Sequence, residues 1–107
     1  MKTISLDELK EKMDQKKTIL IEVLSEDKYK DEHIKGAINI PLKKIGTEAK
    51  KQFNLDDEIV VYCSDKECTS SPTAAKKLDD LGFQNVYDFE GGKKEWKDAG
   101  LLMESDK

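Results

Sequence analysis

Apolar residues in this chain fall into short runs separated by charge-rich segments, and the spacing differs from run to run. Thr18-Ile19-Leu20-Ile21-Glu22-Val23-Leu24 and Ile59-Val60-Val61-Tyr62 are nearly continuous apolar stretches rich in β-branched residues. That is the pattern of strands covered on both faces of a parallel sheet. Glu22 interrupts the first and requires either a partner or the surface. Asn85-Val86-Tyr87-Asp88-Phe89 reads as a further strand, Ala37-Ile38-Asn39-Ile40 as a short one ended by Pro41, and Thr3-Ile4 as a short edge strand.

Helical spacing fills the intervals. Leu6, Leu9 and Met13 recur behind Ser5-Leu6-Asp7-Glu8, a capping box, as far as about Asp14. The polar stretch from Ser25 to Glu32 holds a short helix around Tyr29, and Leu42, Ile45, Ala49 and Phe53 give a weaker pattern broken near Gly46. Ala74, Ala75, Leu78 and Leu81 share one face of a helix over 72–81, with Ser71 placed to cap it, Pro72 at its first position and Gly82 closing it. A last short helix runs from Lys93 to Ala99 with Trp96 on its apolar side. Lys16-Lys17, His33 to Gly36, Asn54 to Asp57 and Gly91-Gly92 are expected turns. Strands alternating with helices in this way imply one domain over 1–107, built on an open, mostly parallel α/β sheet.

Composition narrows the function. Charged residues make up 39% of the chain, against about 25% in an average soluble protein. The net charge is −4 with the two signs interleaved, so neither nucleic acid nor an anionic membrane is an expected partner. Every basic residue is lysine, which removes the forked, bidentate recognition of phosphate or sulfate that arginine provides. No apolar run suggests a signal peptide or a bilayer span. A reducing, cytoplasmic setting is the expectation, and two cysteines five positions apart are then free or catalytic rather than a structural staple.

The stretch richest in chemistry is Tyr62-Cys63-Ser64-Asp65-Lys66-Glu67-Cys68-Thr69-Ser70-Ser71-Pro72. It places Cys63 at the carboxyl end of a buried strand, before a polar loop that opens a helix. In open α/β sheets ligands sit at that end of the strands. Loop N–H groups converging on a centre, and the positive end of the following helix, favour thiolate over thiol. Cys63 is therefore the candidate nucleophile. Ser64, Asp65, Lys66, Glu67 and Thr69 form the candidate substrate-binding loop, and Cys68 is either a resolving thiol or a small apolar residue packed beneath it.

Over nearly its whole length the chain also resembles a single-domain rhodanese, a sulfurtransferase-like module. Ser5-Leu6-Asp7-Glu8-Leu9 resembles the family's opening helix, and Glu32-His33-Ile34-Lys35-Gly36-Ala37-Ile38-Asn39-Ile40-Pro41 its "GHI-GA-NIP" signature. Val61-Tyr62-Cys63 is similar to the strand leading to the catalytic cysteine, and Gly91-Gly92 through Trp96 to Ala99-Gly100 to the "GG…W…AG" segment. The resemblance implies a five-stranded sheet with helices on both faces. It implies that Cys63 takes sulfane sulfur as a persulfide and passes it to a thiophilic acceptor. The partners implied are a small sulfane-sulfur donor and a thiol acceptor, or a sulfur-relay protein, for a monomeric carrier without cofactor. The loop departs from the family's "C-R-x-G-x-R-S" and resembles a less common subgroup with C-x4-C followed by serine and proline. With Asp65 and Glu67 set against Lys66, a persulfide or polysulfide donor asks less of the loop than thiosulfate does.

Other chemistries fit less well. A phosphatase of the Cys-x5-Arg type needs arginine where Thr69 stands. Two cysteines and one distant histidine are too few ligands for a metal site. His33 falls inside the structural signature and is expected to be a hydrogen-bonded framework residue, while Tyr62 and Trp96 are expected in the core. A dithiol switch at Cys63 and Cys68, or a non-catalytic regulatory module, are the alternatives.

Overall fold

The computed structural model describes residues 2–107. Its main sheet has five strands, all parallel, in the order β1 (Lys2–Thr3), β6 (Asn85–Phe89), β5 (Glu58–Tyr62), β2 (Thr18–Glu22) and β4 (Ile38–Asn39). The connecting helices are α1 (Leu6–Asp14), α2 (Glu26–Asp31), α3 (Ile45–Gln52), α4 (Ser70–Asp80) and α5 (Gly92–Asp98). A second, two-stranded antiparallel ladder pairs β3 (His33–Ile34) with β7 (Met103–Glu104).

Alternation along the strands splits the interior in two. On β5, Ile59 and Val61 face one core, shared with Ile21, Ala49, Ala74, Ala75 and Leu78; Cys63 continues on that side. Val60 and Tyr62 face the other, with Leu9, Leu20, Phe89 and Trp96. Helices α3 and α4 cover the first face, α1 and α5 the second, so both sides of the sheet are dry. That explains the continuous apolar runs of β2 and β5.

The capping box at the start of α1 is present in both directions: Glu8 N donates to Ser5 Oγ and Ser5 N to Glu8 Oε1, each near 3.1–3.2 Å. Tyr62 is fully buried and Trp96 is 7% exposed. His33 donates from Nδ1 to the Tyr29 carbonyl at 2.7 Å and stacks on the Tyr29 ring, which makes it part of the framework. Among the described residues, no helix is long and apolar enough to cross a membrane.

Three expectations need correction. His33-Ile34 is a strand rather than a turn, because Met103-Glu104 returns to pair with it. Gly46 does not break its helix: α3 runs through it from Ile45, after a 3-10 turn at Leu42–Lys44. Helix α4 begins at Ser70 with Thr69 at the cap position and no side-chain cap, so Ser71 lies within the first turn and is buried.

Candidate functional site

Cys63 follows the last residue of the central strand and is 1% exposed. Its carbonyl accepts from Lys93 N and that of Ser64 from Lys94 N, both at 3.0 Å, so the start of α5 is sewn to the start of the loop. Gly92 makes that approach feasible. It has φ +61, and a Cβ there would lie inside van der Waals contact of the Cys63 carbonyl and 3.0 Å from Asp65 N. Both are main-chain atoms and cannot swing aside. Gly92→Ala is therefore expected to lower stability by about 1–3 kcal/mol and to slow Cys63 chemistry. Gly46→Ala is the control: its Cβ meets only Leu81 Cδ1, at 3.6 Å, and should stabilise by about 0.5–1 kcal/mol. Urea unfolding of the two variants checks both signs.

The loop closes on itself. Cys63 and Cys68 are joined by a disulfide, their Cα atoms 6.4 Å apart. Asp65 organises the turn between them: its Oδ1 accepts from Glu67 N at 3.0 Å and its carbonyl from Cys68 N at 3.2 Å. Two of the loop N–H groups expected to converge on the site's centre are thus engaged by Asp65 in this closed form. Thr69, which ends the loop, accepts at its carbonyl from Thr73 N and Thr73 Oγ1.

Asp65, Lys66 and Glu67 line an open groove of about 870 Å³ that runs along Glu8, Glu90 and Lys94. Carboxylates outnumber ammonium groups along it, so the groove disfavours a doubly charged anion. Among the described residues no group of three or more His, Cys, Asp and Glu side chains could hold a metal ion.

Two buried acids lie near the carboxyl ends of the strands, on opposite faces of the sheet. Glu22, at the end of β2, is fully buried. It accepts from Tyr62 Oη at 2.8 Å on Oε1 and pairs with Lys93 Nζ at 3.1 Å on Oε2. Burial raises its pKa above the ordinary carboxylate range, opposed by the Tyr62 hydrogen bond and the neighbouring Lys93 ammonium. Tyr62 in turn accepts from Ile34 N at 3.1 Å, and burial with Glu22 beside it drives its phenol pKa far upward. Asp88, on β6, is the other, 1% exposed. The motif residues between these elements are structural: Asn39 Nδ2 donates to the Glu22 and Leu24 carbonyls at 3.0 and 2.9 Å, holding the chain past β2, and Trp96 Nε1 donates to the Leu102 carbonyl at 2.9 Å. Cys63, Cys68 and the loop stand out in the sequence, whereas Ser71 reads there as a helix cap and Asp88 only as a strand residue.

This fold and this cysteine-headed loop coincide with a family assignment. The description "Rhodanese-like domain" matches residues 5–99, and the chain belongs to that family. It is 30% identical over 96 residues to the thiosulfate sulfurtransferase GlpE of Coxiella burnetii, covering 90% of this chain and 87% of that protein. It is 33% identical over 85 residues to the HTH-type transcriptional regulator Rv0324 of Mycobacterium tuberculosis, 79% of this chain but 37% of the regulator. The crystal structure of the BH2092 protein from Bacillus halodurans superposes with a TM-score of 0.89 at 27% identity, covering 98% of this chain and 77% of that one.

Proposed function

We propose that this protein is a sulfurtransferase or sulfane-sulfur carrier that works through a persulfide on Cys63. The observation that supports this most directly is the position of Cys63, at the head of the loop between the central strand and α4, in a rhodanese-like domain. The Cys63 thiolate attacks the outer sulfur of a donor; the donor's S–S bond breaks and its remainder leaves with the electron pair. An acceptor thiolate then attacks the sulfane sulfur, and Cys63 departs as thiolate. The acceptor is a small thiol or a sulfur-relay protein.

Cys68 adds a second exit. Its thiolate attacks Cys63 Sγ of the persulfide and expels the outer sulfur as sulfide, leaving the Cys63–Cys68 disulfide. A thiol pair supplied by a reducing, cytoplasmic compartment reopens it. The disulfide in the structure favours this dithiol reading as a companion to transfer.

The reduced protein, exposed separately to thiosulfate and to polysulfide and weighed intact, tests the proposal. We expect the mass of one added sulfur atom with polysulfide, and slower or no loading with thiosulfate because of the carboxylates along the groove. Loss of two hydrogens with no loaded species at any time would leave only the redox reading. No change with either donor would favour a binding module.

A further inference from the structure

Asp88 is a buried carboxyl that the proposed sulfur chemistry leaves unused. It pairs in register with Val61 on β5, and side chains of paired positions point to the same face of a parallel sheet. Cys63, two residues beyond Val61, lies on that face too. Ser71, from the first turn of α4, is buried on the same side: its Oγ is 3.5 Å from Cys63 Sγ, and its hydroxyl is the side chain that favours the Asp88 carboxylate. All three residues are buried, Cys63, Ser71 and Asp88 each at 1% exposure. Asp88 Oδ1 has no hydrogen-bond partner among the described residues.

A hydroxyl between a thiol and a carboxyl has one proton to donate and can accept another. Two chains of bonds are open to it. In one, the Cys63 thiol donates to Ser71 Oγ and the Ser71 hydroxyl donates to the Asp88 carboxylate. In the other, a protonated Asp88 donates to Ser71 Oγ and the Ser71 hydroxyl donates to the Cys63 thiolate. Placing both anions in this dry space is the costly alternative.

We propose that Asp88 is a positioning residue that shares a single proton with Cys63 through Ser71, so that carboxylate and thiolate replace one another. Passing from the first chain to the second, the Cys63 S–H bond breaks, an Asp88 O–H bond forms and Ser71 exchanges its proton. No electrons change hands. When Cys63 is in the disulfide its sulfur carries neither proton nor charge, and Asp88 is free to ionise.

The surroundings support this. Burial raises the Asp88 pKa, a hydrogen bond from Ser71 opposes that, and the Glu90 carboxylate just after β6 raises it further. From β1, Lys2 and Thr3 pair with Tyr87 and Asp88, and from the loop come Asp65, Lys66 and Glu67; of these neighbouring charges Glu90 is the one that acts on Asp88.

The inference deepens the reading of Cys63 as the nucleophile, but its test does not require sulfur transfer. In the Cys68→Ser variant of this chain Cys63 is the remaining cysteine, and its thiolate can be followed by ultraviolet absorbance against pH. Asp88→Asn on this background should move the midpoint of thiolate formation downward by about one pH unit, with about tenfold faster alkylation by iodoacetamide below both midpoints. The like charge is gone, and the amide still donates to Ser71. Ser71→Ala should move the midpoint upward, because the thiolate loses its donor. A residue that only packs would give neither opposite shift. An unchanged or raised midpoint in Asp88→Asn overturns the proposal. Should that variant fail to fold by circular dichroism, an unchanged or lowered midpoint in Ser71→Ala overturns it alone.

Discussion

Cys63→Ser is expected to abolish sulfur loading, with at least a thousandfold loss of transfer rate, while the fold persists. The magnitude follows from removing the nucleophile of a covalent mechanism, where loss of the attacking group alone costs roughly 10³-fold or more. The fold should persist because serine is nearly isosteric and keeps a hydrogen-bonding contact within reach of Ser71, 3.5 Å from the sulfur it replaces. The comparison belongs in the reduced state, since the variant also removes the Cys63–Cys68 bond. Cys68→Ser separates the two proposed exits. It should load as fast as the parent but hold its persulfide longer and release less sulfide, because no internal thiolate attacks Cys63 Sγ. Intact mass at successive times and a sulfide assay give both readings. Full loading of Cys63→Ser would refute the assignment of the nucleophile.

The parts of this site visible in the sequence are those carried by local patterns. The run Ile59 to Tyr62 and the Pro72 helix bracket the loop, and both elements stand where that pattern puts them, within two residues at the helix start. That small offset matters. Thr69, Ser70 and Ser71 can each occupy a helix start, and the choice decides whether Ser71 faces solvent or Cys63; nothing in the local order of three small hydroxyl residues reveals it. Asp88 is hidden for a related reason. A single acid in a strand ordinarily marks the solvent face, and its burial exists only because α4 covers that side of β6. The ladder of His33-Ile34 with Met103-Glu104 is two residues long on each side, too short for any periodicity. Gly46 misled in the other direction: helix packing against α4 outweighs one unfavourable propensity. Glu22 was legible as a demand for a partner, but the partner, Lys93, is supplied by tertiary structure alone.

That pairing sets the largest stability effect we expect. Lys93 Nζ lies 3.1 Å from Glu22 Oε2 and donates to the Lys28 carbonyl at 2.9 Å, tying α5 to β2 and α2 directly beneath the loop. Lys93→Met keeps the apolar stem and removes the charge, leaving a buried carboxylate with only the Tyr62 hydroxyl. Breaking a buried pair from one side typically costs about 3–5 kcal/mol, and that loss is expected at neutral pH. The cost should depend on pH in a definite sense. Burial already raises the folded-state pKa of Glu22 above its unfolded value of 4.5, so its contribution to stability is fully present below that value. It is lost as pH rises through the folded pKa. Without Lys93 the folded pKa rises further, and the loss continues over a wider window. The gap between parent and variant is therefore small at acid pH, where Glu22 is protonated in both, and opens toward neutrality. Glu22→Gln combined with Lys93→Met should recover much of the neutral-pH loss, since the amide oxygen still accepts from Tyr62 and carries no charge. Denaturant unfolding of the parent, the two single variants and the double, at pH values on either side of 4.5, measures the coupling. A Lys93→Met cost that is the same at every pH would show that the lysine matters for its packed stem and its bond to Lys28 rather than for the charge on Glu22.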